Sequence, residues 1–253
     1  MAEGLTPVGC AEKIIAAGRT VVLTGAGIST AAGVPDFRGP KGLYVTRAYD
    51  PEKVFEIAAF DRDPGPFYQF SRDFLDTLGT IEPTFTHRFL AELEKRGKLD
   101  RIITQNIDGL HQRAGSRNVL PVHGDYTTAR CRSCGRGCSG ERLRNLMREH
   151  EIPPCGFCGG TLKPDVVFFG ENVRFLAEAE AAARRSDLMF VLGSSLTVYP
   201  AAMIPHYAGG EVVVVNKGGV GIAAGKGVHL VDADLDGYFR EVEKCLPRDG
   251  NRR

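Results

Sequence analysis

The chain lacks any apolar run approaching the ~20 residues that a membrane-crossing helix needs. Its opening stretch, MAEGLTPVGCAEKII, lacks the continuous hydrophobic segment of a secretory signal. Together these absences lead to the expectation of a cytoplasmic protein whose thiols stay reduced. An excess of one charge is also missing. There are 32 basic and 31 acidic side chains, for a formal net charge of +1. On that balance neither nucleic acid nor an anionic membrane is expected as a partner. No internal repeat or low-complexity tract interrupts the chain, which argues against a stacked-repeat architecture. What is present is a 43% apolar share over 253 residues, enough to core one α/β domain with a small insert. Seven cysteines in a reducing setting point to metal binding or chemistry rather than a disulfide framework.

Apolar strand patterns recur, each followed by small or polar residues: TVVLTGAG (20–27), DRIITQN (100–106), DLMFVLGSS (187–195) and EVVVVNK (211–217). GVHLVD (227–232) is a further strand, and helix patterns such as THRFLAELEKRG (86–97) and RFLAEAEAAARRS (174–186) lie between them. Strand, turn and helix in alternation predict a parallel sheet covered on both faces. Ligands of such sheets bind beyond the carboxyl ends of the strands, where the polar cluster TQNIDGLH (104–111) falls. Two stretches break the alternation: 35–85, rich in Phe, Tyr and Pro with helix-like pieces, and 126–164, with spaced cysteines. They are expected to form a second, smaller lobe.

The motifs carry different weights. GAGIST (25–30) leaves a strand and is expected to open a short helix, with Gly25 and Gly27 letting backbone approach a pyrophosphate. Thr30 stands where the dinucleotide fingerprint has its third glycine, so a plain strand–helix turn stays open as an alternative. In GVPDFRG (33–39), Phe37 could stack on a base or nicotinamide and Arg38 could reach a phosphate; an internal Asp36–Arg38 pair is the alternative. Cys131 and Cys134, with Cys155 and Cys158, form C-x2-C-x20-C-x2-C. Two such chelating turns close a tetrahedral four-thiolate site, which predicts one structural zinc without an open coordination position. Cys138 fits that spacing less well, and Cys10 and Cys245 read as apolar fillers. His123, in PVHGD (121–125), is the best candidate general base, since an imidazole titrates near working pH. KPDVVFFGEN (163–172) reads as a Pro turn and a short strand, either internal or an edge that recruits an extended peptide.

Taken in order, GAGIST…GVPDFRG, TQNIDGLHQRAG, PVHGD, the two CxxC pairs, LKPDVVFFGEN, GSSLTVYPAA and VVNK cover most of residues 20–217. This ordered set resembles the sirtuin family of NAD-dependent protein-lysine deacylases. The resemblance implies an α/β fold, with a Rossmann-like parallel sheet and a smaller lobe made of a zinc ribbon and a helical module. It assigns residues 1–34, 86–125 and 165–253 to the NAD-binding domain, 35–85 to a cofactor loop and helical module, and 126–164 to a zinc module. It implies that Gly25, Ala26, Gly27, Thr30, Phe37 and Arg38 belong to the NAD-binding loop, and that Gln105, Asn106, Ile107 and Asp108 line the nicotinamide and ribose pocket. Gly193, Ser194 and Ser195 would bind phosphate and ribose. Asn216 and Lys217 would meet the adenosine end, and Asp234 and Leu235 the adenine. His123 and Asn106 are the implied catalytic pair, and an acylated-lysine peptide would add as a strand beside Val167, Phe168, Phe169 and Gly170. The implied reaction removes acetyl or another uncharged acyl group from protein lysines, giving nicotinamide and O-acetyl-ADP-ribose; ADP-ribosyl transfer or NAD hydrolysis in the same pocket is the alternative. Asp125 is expected to raise the His123 pKa. Acyl choice is expected to exclude acids, because Ser71, not arginine, stands three residues after Tyr68 in FYQFSRDF (67–74).

Overall fold

The protein is described by a computed structural model covering residues 4–34 and 49–247. Six strands form one sheet in the order β3-β2-β1-β7-β8-β9: β1 Thr20–Thr24, β2 Arg101–Thr104, β3 Val119–Pro121, β7 Leu188–Leu192, β8 Glu211–Asn216 and β9 Val228–Asp232. Every pairing between these neighbours is parallel. β1 and β7 are buried along their whole length, because helices cover both faces. Side chains alternate between the two cores. Val22, Ile102, Phe190 and Val213 pack against the helices Pro7–Ala16, Phe85–Lys95 and Leu235–Cys245. Val21, Leu23, Ile103, Met189 and Val191 face the helix Leu176–Arg184 and the 3-10 segment Ala201–Tyr207.

Local chemistry sets the helix starts. Thr6 caps the first helix through Gly9 N at 3.2 Å, with Pro7 at the first helical position. Asp234 caps Leu235–Cys245 through Gly237 N at 2.8 Å. The helix expected over 174–186 begins only at Leu176, since Phe175 sits in the left-handed region at φ 52°.

The second lobe has an antiparallel sheet, β5-β4-β6, with β4 Gly124–Cys131 between β5 Gly137–Ser139 and β6 Leu162–Val166. Phe55, Phe60, Phe67, Tyr68 and Phe70 pack there with Tyr126, Leu143 and Phe168 into one largely aromatic core. Phe168 is ringed by Phe55, Phe60 and Phe67 at centroid distances of 6.2, 5.4 and 4.8 Å. The sequence reading placed a turn at Pro164 and a strand after it. Instead Pro164 lies inside β6, opposite Ala129, and the strand ends at Val166. An edge strand tolerates proline because its missing N–H would face away from the sheet. Gly124 holds φ 72°, and a Cβ there would lie 1.8 Å from Asp165 O, so the turn after His123 admits only glycine.

Candidate functional site

The strand order reverses between β1 and β7, and the crevice above their carboxyl ends is the expected ligand position in this topology. There Gly25 N donates to Leu192 O at 3.0 Å and Gly27 N to Gly193 O at 2.9 Å. A Cβ on Gly27 would stand 2.7 Å from Gly193 Cα, and Gly193 itself holds φ 61°. These glycines let two strand ends close on each other; the need for them is met within the protein, whatever binds above. The expected short helix after Gly25 is instead two 3-10 turns, Ala26–Ile28 and Thr30–Ala32. Ala26 lies in the first, and Thr30 donates its hydroxyl to Gly27 O at 3.0 Å. Phe37 and Arg38 lie outside the described residues.

The end of β2 supplies most of the buried polarity. Asn106 and Asp108 are both buried polar groups. Asn106 Nδ2 donates to Gly25 O at 3.1 Å and to Ser29 Oγ at 3.2 Å, and Ser29 Oγ donates to Asp108 Oδ2 at 2.7 Å. Leu110 N donates to the other Asp108 oxygen at 2.9 Å. Burial nevertheless prevails and raises the Asp108 pKa, with the Leu110 N–H and the Ser29 hydroxyl acting against it. Ile107, partly buried, packs against the aromatic core of the second lobe. Gln105 reaches across to β7, its Nε2 donating to Ser194 Oγ at 2.9 Å. Ser29 was not singled out in the sequence; its place within GAGIST, between the glycine turn and GVPDFRG, was the available signal.

His123 follows β3 by two residues and turns back over β2. Its Nδ1 lies 3.0 Å from the Gln105 carbonyl, which can only accept, so Nδ1 carries the proton and Nε2 keeps its lone pair. Burial lowers the His123 pKa and the bond to Gln105 O works against that. Asp125 does not raise it, contrary to expectation. That carboxylate accepts from Thr127 N at 2.8 Å and from the Thr127 hydroxyl, within its own strand.

On the other side of the switch point, Ser194 is buried and Ser195 Oγ pairs with Thr197 Oγ1 at 2.9 Å. Asn216 Nδ2 donates to Lys217 O at 3.0 Å, and Lys217 Nζ lies 3.9 Å from Asp234 Oδ2, so the ends of β8 and β9 meet here. Leu235 packs its side chain into the sheet core, which leaves only its backbone for any ligand. The second lobe presents residues 167–170 beside His123, with Val167 N donating to His123 O at 2.8 Å. Phe168 and Phe169 are already bonded. Phe168 N reaches Glu171 Oε2 at 2.8 Å, Phe169 N reaches Phe55 O at 2.7 Å, and Ile57 N reaches Phe169 O at 3.1 Å. Phe168 is also buried. Val167 O and both backbone groups of Gly170 have no partner among the described residues. Tyr68 and Ser71 are buried, their hydroxyls directed to Leu162 O and Tyr126 Oη. Arg72 is engaged by Met147 O and His150 O at 3.0 and 2.6 Å, and by Glu151 O.

Cys131, Cys134, Cys155 and Cys158 converge at the far end of the lobe, all four Sγ atoms within 4.8 Å of one another. Cys131 and Cys158 stand 3.5 Å apart, and Cys134 and Cys155 3.8 Å. A tetrahedron of sulfurs about 2.3 Å from a zinc ion has edges of about 3.8 Å, so the cluster fits that metal. Backbone N–H groups lower the pKa of Cys131, chiefly from Cys134, and of Cys155, chiefly from Phe157, while at Cys158 the Gly160 N–H is outweighed by the neighbouring Cys134 and Cys131 sulfurs, which push its pKa up to about 12. Cys138 pairs through β5 with Ala129 and is not part of the group. Cys10 is buried as expected of a filler, but Cys245 is exposed. Among the described residues, no helix is long and apolar enough to cross a membrane.

Residues 25–200 match the Sir2 family. A protein of Saccharolobus solfataricus named NAD-dependent protein deacetylase is 45% identical over 209 residues, which span 81% of this chain and 83% of that protein. Among solved structures, a Sir2 protein with p53 peptide and NAD+ superposes with a TM-score of 0.83 at 38% identity, covering 92% of this chain and 95% of that one. A Sir2 variant with deacetylated p53 peptide and 3'-O-acetyl-ADP-ribose gives a TM-score of 0.85 at 37% identity, covering 96% and 100%. With its 3-2-1 strand order, its switch-point cluster of Ser29, Asn106, Asp108 and His123, and its four-cysteine module, this chain belongs to the Sir2 family.

Proposed function

We propose that the protein removes acetyl groups from protein lysines with consumption of NAD. The observation that carries this is the placement of His123, proton fixed on Nδ1 by Gln105 O, beside Asn106 at the switch point. Its lone pair on Nε2 and its lowered pKa make it a base already unprotonated at neutral pH. NAD, when bound, supplies an electrophilic ribose carbon with nicotinamide as leaving group. The donor set suits such a molecule, with backbone turns and the Ser194 and Ser195 hydroxyls for ribose and phosphate, and Asn216 and Lys217 for adenosine. Ala26, Thr30, Phe37 and Arg38 belong to the NAD-binding loop in this reading, and Gln105, Ile107 and Asp108 line the nicotinamide end. Asp234 and the Leu235 backbone close the adenine end.

Asn106 is held by Gly25 O and Ser29 Oγ so that it orients the reacting centre, and His123 takes a proton from a ribose hydroxyl. An acyl-lysine peptide lies against Val167 O and Gly170, beside the exposed Phe169 ring. Few side chains contact its flanks, so sequence selectivity is modest. The zinc site holds the second lobe and takes no part in the chemistry, because four thiolates fill its coordination sphere. In domain terms, residues 1–34, 86–125 and 165–253 form the NAD-binding domain, 35–85 the cofactor loop and helical module, and 126–164 the zinc-binding module. A cytoplasmic location belongs to the same reading, supported by seven cysteines of which none is in a disulfide.

The test is mass spectrometry of purified protein with NAD and an acetyl-lysine peptide. Nicotinamide, free-lysine peptide and O-acetyl-ADP-ribose should appear together. His123→Ala should lose at least about 100-fold of this activity, while nicotinamide exchange survives better. Nicotinamide release that does not depend on acetylated peptide would replace this reading with NAD hydrolysis or ADP-ribosyl transfer.

A further inference from the structure

Beneath the crevice lie two histidines with no part in the reaction proposed above. His87 and His111 are buried, with ring centroids 4.6 Å apart and planes at 61°. His87 belongs to the cap of helix Phe85–Lys95: Thr84 N donates to its Nδ1 at 3.3 Å, and Thr84 Oγ1 lies 2.8 Å from the same atom. A nitrogen that accepts from a backbone N–H carries no proton. The neutral ring therefore holds its proton on Nε2. His111 Nε2 lies 2.9 Å from Thr24 Oγ1, and Thr24 Oγ1 donates its single proton to Thr104 Oγ1 at 2.8 Å. The His111 ring must then donate from Nε2 and keep a lone pair on Nδ1. The two remaining atoms are complementary: His87 Nε2 is a buried donor and His111 Nδ1 a buried acceptor, neither bonded to another described protein atom. Burial lowers both imidazole pKa values, that of His87 to about 4, so both rings are neutral at pH 7.

The far end of this chain of bonds is the candidate site. Thr104 Oγ1 accepts from Asn106 N at 3.1 Å, and Thr24 O accepts from Gln105 N at 2.9 Å. Gln105 O in turn fixes the proton of His123. Thr24 thus holds the peptide N–H of Gln105 directly through its carbonyl, and that of Asn106 indirectly through the Thr104 hydroxyl to which its own hydroxyl donates. We propose that His87, His111, Thr24 and Thr104 form a directional positioning relay, joined at the His87 Nε2–H and His111 Nδ1 pair, that sets the orientation of Asn106 and of the Gln105 carbonyl. The pair closes by a small ring rotation or through one bridging water. None of the four touches the crevice; they act through Asn106 and His123 and are positioning residues. The proposal rests on the functional reading above, in which Asn106 and His123 serve the reaction.

Two measurements test it, and they fail separately. Nitrogen-15 NMR of the imidazoles should show both His87 and His111 neutral and protonated on Nε2 at pH 7, a result independent of any activity. Either ring charged, or protonated on Nδ1, overturns the relay. Thr24→Val keeps the shape of a buried, β-branched strand residue and removes only the hydroxyl. It should lower kcat for deacetylation about tenfold or more, with peptide KM unchanged within about twofold, because the peptide-facing backbone belongs to the other lobe. Thr24→Ser should restore kcat to within about threefold. A merely structural hydroxyl would change the melting temperature and leave kcat, measured well below it, as in the wild type; that outcome overturns the proposal. A wild-type chain inactive with NAD and acetyl-lysine peptide overturns the functional reading and the positioning role with it, while leaving the tautomers to stand on the NMR result.

Discussion

Glu171→Ala and Lys163→Met remove opposite halves of one ion pair and should not cost the same. Lys163 is buried, its Nζ 2.8 Å from Glu171 Oε2, 2.7 Å from Val166 O and 4.0 Å above the Phe168 ring. Glu171 keeps 27% of its side chain exposed and also accepts from Phe168 N at 2.8 Å. Desolvation lowers the Lys163 pKa despite the pull of Glu171, so the ammonium is less favourable here than in water. Removing Glu171 leaves that buried charge with the Val166 carbonyl, a long contact to Pro164 O and a ring face. The cost should be about 3 kcal/mol, the low end for breaking a buried pair because the carboxylate was partly hydrated. Removing the ammonium instead relieves its desolvation. Lys163→Met keeps the aliphatic stem, and the remaining carboxylate has water and Phe168 N, so the loss should be about 1 kcal/mol, one hydrogen bond's worth. At this chain length about 2–4 °C of melting temperature corresponds to each kcal/mol, which puts the two variants about 4–8 °C apart. Thermal denaturation at neutral pH reads this directly. Both variants should also raise KM for an acetyl-lysine peptide, because the pair fixes the turn that presents Val167 O and Gly170. A Lys163→Met protein as unstable as Glu171→Ala would refute the argument that desolvation outweighs the pairing for this lysine.

Metal analysis should find about one zinc per chain, as a closed four-thiolate site implies; Cys131→Ala or Cys155→Ala should lose both metal and the fold of the second lobe, whereas Cys138→Ser should keep its metal. Acetyl-lysine peptides should be turned over much faster than succinyl-lysine ones, since Ser71 is bonded to Tyr126 and the Arg72 guanidinium to main-chain carbonyls; equal kcat/KM for the two would mean that another cation reaches the acyl pocket. His87 makes stability pH-dependent in a defined direction: its folded pKa of about 4 lies below the ordinary 6.5, so the unfolded chain binds the proton first as pH falls. Stability is complete above pH 6.5 and declines toward pH 4, by about 2 kcal/mol at pH 5 from this residue, and His111 adds in the same sense. Urea titrations at pH 7 and 5 should show His87→Gln losing less on acidification than the wild type; equal losses would place the His87 pKa near its ordinary value.

How much of this was legible in the sequence follows from the range of each interaction. Strand after strand of apolar residues ending in glycine, serine or asparagine declared the parallel sheet, and the spacing of Cys131, Cys134, Cys155 and Cys158 declared the metal cluster. Both signals are local: side-chain periodicity follows from backbone geometry, and each Cys-x-x-Cys turn chelates by itself. Which polar groups meet was decided only in three dimensions. Ser29 bonds Asp108 from 79 residues away, Gln105 reaches Ser194 across 89, and Thr24 lies 87 from His111, because strand order brings β2, β1 and β7 side by side. Sequence separation carries no trace of that adjacency. The same cause explains some of the departures. Pro164 entered a strand because β6 took the edge of its sheet, and Leu235 was drawn into the core by the helix it begins; Asp125 departs for a local reason, its bond to Thr127 two residues on. Residue type and spacing specified the elements and the metal ligands; the crevice, its protonation states and the bonds that orient it come from long-range packing, which brings together the segments that follow different strands.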